Sequence, residues 1–323
     1  MTRYASQITL LLAIALSFGV SWFSDQLDAY YLDIALNVGI NIILAVSLNL
    51  VNGHTGQFSL GHAAFMSIGA YGASVFTLRM GGELAPLLGG PGILATAVIF
   101  LLALIIGGIS AAVCGWLVGM PSLRLRGDYL AIVTLGFNEI VRVILQNTSG
   151  EGAFGGPLGL KGIPPHTNFF WVFAVAAICV YVVASMVNST YGRGFLAVRD
   201  DEIAAGSMGI NVVRYKVTAF VVGAFFAGLS GGLYAHLRTT ISPEGFNFLK
   251  SFDIVVIVIL GGMGSTAGVI LAAIVLTVLN EFLRDAEQYR MIVFSLLLII
   301  MMIVRPQGLI PSLSFLKRKT KSA

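Results

Sequence analysis

Charge is what this chain has least of. Lys, Arg, Asp and Glu together make up 11% of its 323 residues, where soluble domains use about 25%. Cysteine is scarcer still. Cys114 and Cys179 both sit in apolar runs, where a small buried hydrophobe is the ordinary reading and neither a disulfide nor a metal site is supported. No G-x-x-x-x-G-K-[ST] phosphate loop occurs, so the chain does not bind ATP in that way, and any energy comes from an ion gradient or a separate subunit. A basic stripe is missing too. The formal charge of +4 is spread over loops and a short tail, which excludes nucleic acid as a partner.

Apolar residues are what remain, at 57% with a mean hydropathy of +0.91. A crossing of about 30 Å of hydrocarbon takes about 20 such residues, so nearly the whole chain is consumed by membrane spans. The expected fold is an all-α polytopic bundle, one transmembrane domain over residues 1–323, with the lipid bilayer as its solvent. Apolar runs and their breaks predict ten segments near 8–23, 31–51, 56–78, 92–118, 128–146, 169–188, 216–237, 251–263, 266–283 and 291–305, some of them short broken helices. The first run has a basic flank in Arg3 but no small-x-small cleavage site, so it reads as a span and not as a signal peptide.

Counting ten spans from a cytoplasmic N-terminus satisfies the positive-inside rule. Arg124 and Arg126, then Arg193, Arg199, Arg214 and Lys216, then Lys317, Arg318, Lys319 and Lys321 all fall inside. Asp25, Asp28, the 147–168 loop, residues 241–246 and the Asp285/Glu287 turn fall outside. Fusing 251–283 into one helix gives nine spans and puts the basic tail on the wrong side.

Two segments break where almost no loop intervenes: Asn52-Gly-His-Thr-Gly-Gln57 and Gly261-Gly-Met-Gly-Ser-Thr-Ala-Gly268. Non-helical backbone at membrane depth is buried in protein or lines a watery cavity, and paired interruptions point to a transport path. Tight turns at the membrane face are the competing reading. Residues 253–267 imitate a dinucleotide fingerprint, yet the following helix is wholly apolar and no second acidic strand follows. Gly228-Leu-Ser-Gly231 imitates an intramembrane protease, but Ala224, Gly228 and Gly232 recur every four residues, as close helix packing requires. Asn37 and Asn41 share a face of the second span, with Asn49 further round; such amides act as glue between helices or line a path. Glu139 and Arg142 lie i, i+3 and neutralise one another, which argues against a proton relay.

Seven charged side chains (Arg193, Arg199, Asp200, Asp201, Glu202, Arg214 and Lys216) crowd between two spans. Burying them in hydrocarbon would cost about 2.5–3.5 kcal/mol for each Asp, Lys or Arg, so this island lies in water. Asp200, Asp201 and Glu202 suit the positive end of a helix, Gly209 suits its C-terminal cap, and Ile203 with Met208 gives it an apolar contact. A solvated loop without a partner is the alternative.

At this island the chain resembles the permeases of ATP-binding-cassette importers for branched-chain amino acids, specifically the M-type subunit. The same resemblance runs through Leu48-Asn-Leu-Val, Ser59-Leu-Gly-His-Ala-Ala-Phe-Met-Ser-Ile-Gly-Ala-Tyr71, Arg124-Leu-Arg-Gly-Asp-Tyr129, Ile241-Ser-Pro-Glu-Gly-Phe246, Leu260-Gly-Gly-Met-Gly-Ser265 and Arg305-Pro-Gln-Gly308. It covers residues from about 44 to 311.

The resemblance implies a permease without enzymatic activity in the bacterial inner membrane. Its implied partners are a homologous H-type permease, two cytoplasmic cassette ATPases and a periplasmic amino-acid-binding protein. Residues 189–215 are the implied cytoplasmic coupling loop. Its carried-over residues are Gly192, Arg199, Asp200, Asp201, Glu202, Ala204, Gly209 and Asn211, while Gly206 departs from the larger residue often found there. Asn37, Asn41, Asn49, Gln57, Ser59 and His62 are candidates for the lining of the passage, because polar groups beside broken helices suit a zwitterion in transit. A urea or short-amide importer would share nearly every motif. An ion-coupled carrier and a membrane-embedded hydrolase are the readings from other classes.

Overall fold

A computed structural model of the chain describes residues 3–23, 28–87, 92–123, 129–149 and 154–284, with short pieces at 292–293, 295–296, 299–300, 303–304 and 308–309. Asp25, Arg124, Arg126, Asp128, Asp285, Glu287, Arg305, Pro306, Gln307 and the basic residues of 317–321 lie outside them. Among the described residues the chain forms eleven α-helices and one two-stranded ribbon. The helices are α1 Arg3–Phe23, α2 Ala29–Asn49, α3 His62–Leu87, α4 Ile93–Ser122, α5 Tyr129–Gln146, α6 Phe169–Asn188, α7 Thr190–Asp200, α8 Glu202–Ser207, α9 Val212–Arg238, α10 Phe248–Gly261 and α11 Thr266–Phe282. Among the described residues, five segments are long and apolar enough to cross a membrane: Ala29–His54, Ile93–Ser122, Tyr129–Gln146, Phe169–Asn188 and Val212–Arg238.

The all-helical fold follows from a solvent that offers no hydrogen bonds. A helix satisfies its own backbone, so apolar runs of this length take that form. Their side chains then sort by neighbour. α2 is buried on nearly every face from Leu36 onward, which makes it the central rod. α4 instead presents Ile105, Ile106, Ile109, Val113, Trp116 and Leu117 outward.

The inner face of α4 carries Ala95, Ala103, Gly107, Ala111, Gly115 and Gly119, small residues at intervals of four or eight, all buried. Such a stripe lets backbones approach where apolar burial gives no net drive between helices in lipid. α9 answers it. A Cβ on Gly228 would stand 2.6 Å from Ala111 Cβ and 2.7 Å from Gly107 O, and one on Gly231 would strike the carbonyl of Met66 in α3. Packing therefore accounts for the small residues of α9. Ser230, the imagined nucleophile, donates its hydroxyl to Ala227 O at 2.7 Å, inside its own helix. His62 is bonded to Ser47 and His236 to Thr77, each at 2.9 Å.

At the far end of the bundle, β1 (Leu160–Lys161) pairs antiparallel with β2 (Thr240–Ile241). This ribbon joins the loop before α6 to the loop after α9. His166 stacks near His236, with ring centroids 6.1 Å apart, and burial lowers its pKa below the usual imidazole value. α6 runs from this ribbon end to the opposite end, where α7 and α8 lie before α9 returns. Two sequence expectations change here. The third span, expected from residue 56, starts as a helix only at His62, and the charged island holds two helices where one was expected.

Candidate functional site

The island folds as a helix, a one-residue break and a second helix, each end capped by its own sequence. Ser189 opens α7 by accepting the Gly192 N–H at 3.2 Å. Gly192 has no room for a side chain, because a Cβ there would meet the carbonyl of Val187. Asp200 ends α7 and does not start a helix. Asp201 is the cap of α8, its Oδ1 accepting from Ile203 N at 2.8 Å and Ala204 N at 3.0 Å. Gly209, at φ +83°, closes α8. Its N–H reaches Gly206 O at 3.0 Å and the next N–H, from Ile210, reaches Ala205 O at 3.1 Å, the paired bonds of a Schellman end. Asn211 then opens α9 by accepting from Arg214 N at 3.0 Å.

This unit is pinned to the bundle from two sides. Tyr191 of α7 stacks on Tyr215 of α9 at 4.3 Å, with Phe195 edge-on to both. Glu202 of α8 pairs with Lys216, whose side chain is only 6% exposed. Two large apolar side chains remain outward beside the exposed Asp200, Asp201 and Ser207: Ile203 is 68% exposed and Met208 84%.

The two glycine breaks meet each other. After α2 the chain makes a π-turn, Leu50–His54, and continues without helix to Gly61. Its orphan backbone groups are satisfied by distant side chains. Thr134 of α5 accepts from Leu60 N and Ser251 of α10 accepts from Ala63 N, both at 3.0 Å. Asn52 accepts from Ser59 N at 3.3 Å. Opposite lies the Gly262 to Ser265 turn between α10 and α11, and Asn49 Oδ1 accepts from Gly264 N at 2.8 Å. A Cβ on Gly53 would collide with both Asn49 Oδ1 and Gly264 N. Gly308 closes against Gly262, and Leu309 N donates to Leu260 O at 2.9 Å.

The six polar candidates separate into three places. Asn49, Gln57, Ser59 and His62 are all buried around the first break. Gln57 Nε2 donates to Thr55 Oγ1 at 3.0 Å, and His62 holds Ser47. Asn41 donates to Thr277 of α11 at 2.9 Å and lines a cavity of about 100 Å³ between α2, α10 and α11. Asn37 belongs to a polar cluster with Asp33 and Arg238: it donates to Asp33 Oδ2 at 3.0 Å and accepts from Arg238 at 3.2 Å. Lys250, Asp253, Thr277 and Asn280 also line that cavity, and sequence reasoning passed over them. A Lys and an Asp three apart on an apolar helix were the available signal. Also passed over were Tyr71 and Asn138, both buried, whose Oη and Oδ1 have no hydrogen-bond partner among the described residues. Both touch Phe246.

A family profile described as "Branched-chain amino acid transport system / permease component" matches residues 30–304. The chain is 40% identical over 336 aligned positions to the high-affinity branched-chain amino acid transport system permease protein LivM of Escherichia coli (strain K12), covering 94% of this chain and 73% of that protein. A probable LivM permease of Methanocaldococcus jannaschii is 25% identical over 86% of this chain and 92% of its own length. The E. coli permease protein LivH is 24% identical, covering 83% of this chain and 90% of that protein. No solved structure matches significantly. Matched by the profile over most of its length and by the E. coli LivM at this identity, the chain belongs to the family of branched-chain amino acid transport permease components.

Proposed function

We propose that this chain is the M-type membrane subunit of an ATP-driven importer that carries branched-chain amino acids into the bacterial cytoplasm. It performs no chemistry. It pairs with a homologous H-type permease, receives its amino acid from a periplasmic binding protein and is driven by two cytoplasmic ATPases. Ten spans complete the reading: α1 to α6, α9, α10, α11 and the segment near 291–305. α7 and α8 then face the cytoplasm, together with Arg193, Arg214 and Lys216, in keeping with the positive-inside rule.

The observation that carries the reading is α8. Ile203 and Met208 form an apolar tip on a helix fixed by Asp201, Gly209 and the Glu202–Lys216 pair. A groove on an ATPase would cover that tip, and its closure on ATP would move the helix as a unit. The passage runs past Asn41 and the Lys250/Asp253 cavity, with Asn37 at its outer mouth. Asn49, Gln57, Ser59 and His62 frame the broken turn that moves.

The test is replacement of the apolar tip by acid, I203E/M208E. The double variant inserts and pairs with the second permease as before, because neither side chain supports the bundle, but the ATPases no longer co-purify with it. Undiminished ATPase recovery from this variant would sink the assignment of α8.

A further inference from the structure

The side chain of Arg199 does not face outward with Ile203 and Met208. It runs inward from the end of α7, and Nη1 donates to the carbonyl of Gly53 in the π-turn at 3.3 Å. The other edge of the guanidinium is held by Asp200, whose Oδ1 accepts from Nε at 3.2 Å and Nη2 at 3.1 Å. One planar fork therefore joins the loop to the first helix break.

Three glycines keep this space clear. Gly56, at φ +70°, lies where a Cβ would be 2.8 Å from Arg199 Cγ and 3.3 Å from its Cα. Gly264, at φ +85° in the second break, would place a Cβ 3.3 Å from Arg199 Nη1. Gly53 has no space for a side chain because the second break rests on it. Arg199 thus lies where the two breaks meet, and Asn49 ties them together through Gly264 N. Carbonyls at the end of a helix lack intrahelical donors. A guanidinium supplies a charged donor with fixed direction, which an ammonium on a flexible stem does not.

We infer that Arg199 is a positioning residue that transmits movement of the α7–α8 unit to the joint formed by the two broken helices. The inference rests on the reading of α8 as the seat of the ATPase and deepens it. Without this key, motion at the loop would reach the bundle through the ends of α6 and α9 and the apposition of Gly56 to α7, with no directed bond to the break. With it, a shift of α7 moves the Gly53 turn and the Gly264 turn together, and these turns end α2 and α10, two of the three helices that line the polar cavity.

The readout is the number of ATP molecules hydrolysed per leucine imported by vesicles holding the complete importer, measured beside ATPase recovery on purification. R199M and R199K are compared with G56A, which leaves the arginine in place but crowds it. R199M assembles with its ATPases and raises the ATP cost per leucine by about tenfold, within the usual range of a coupling free energy. R199K, which folds with the positive charge kept, gives an intermediate cost, and G56A shifts it in the same direction. A merely structural role would lower hydrolysis and import together and leave their ratio unchanged, and that result overturns the inference. Loss of the ATPases from R199M and R199K also overturns it, since Arg199 would then belong to the docking surface. Failure of the α8 reading shows itself separately, as ATPases retained by I203E/M208E.

Discussion

Single residues in this bundle are judged by what stands within one methyl group of them. Gly231 and Gly136 are both helical glycines in apolar helices, yet their surroundings differ. A Cβ on Gly231 meets the Met66 carbonyl, whereas one on Gly136 meets nothing within 4 Å among the described residues. G231A is therefore expected to lower the thermal midpoint in detergent, with an overpacking cost of about 1–3 kcal/mol. G136A is expected to raise it, since alanine in a helix interior gains about 0.5–1 kcal/mol over glycine. The order of the two midpoints checks the assignment of the α9 face to packing. Sequence alone marked this face through the four-residue repeat of Ala224, Gly228 and Gly232. It did not reveal that Gly231 makes the closest approach, because which helix arrives opposite is a property of the whole bundle.

Elements are set by caps, and here the sequence was partly readable. The glycine runs at 52–57 and 261–268 marked both breaks. The unwound stretch from Thr55 to Gly61 was not legible, because Thr134 and Ser251, on helices remote in sequence, accept the Leu60 N–H and the Ala63 N–H where α3 begins. The split of the island at Asp201 was missed for a related reason. Three acidic residues in a row all suit a helix start, and only the folded chain shows that Asp201 caps α8 while Asp200 turns back onto Arg199. Removing the tie between the breaks is a direct probe. N49A takes the acceptor from the half-buried Gly264 N–H and lowers the thermal midpoint by the net worth of such a bond, about 0.5–1.5 kcal/mol. A second check addresses orientation. M208C is expected to react with a membrane-impermeant maleimide only when the reagent reaches the cytoplasmic face. Labelling of intact cells from outside would reverse the placement of α7 and α8.

At the scale of the whole molecule, composition alone made the chain a helical bundle in a bilayer, and the ten-span count rests on charge placement along the loops. The passage was the least legible part. Polar residues in spans read alike whether they brace helices or line a cavity, and here Asn49 and His62 brace while Asn41 borders open space. Lys250 and Asp253 share that border, which places polar groups of the cavity on α10 and α11 as well as α2. The missing phosphate loop leaves an ion gradient or a separate subunit as the energy source, and uptake measurements distinguish the two. The most direct measurement is uptake of radiolabelled leucine by sealed right-side-out vesicles loaded with ATP and carrying this permease, its H-type partner, the ATPases and the binding protein. The account predicts leucine accumulation that requires ATP on the cytoplasmic side and persists when ion gradients are collapsed. Accumulation that continues without the ATPases and vanishes with an uncoupler would contradict it.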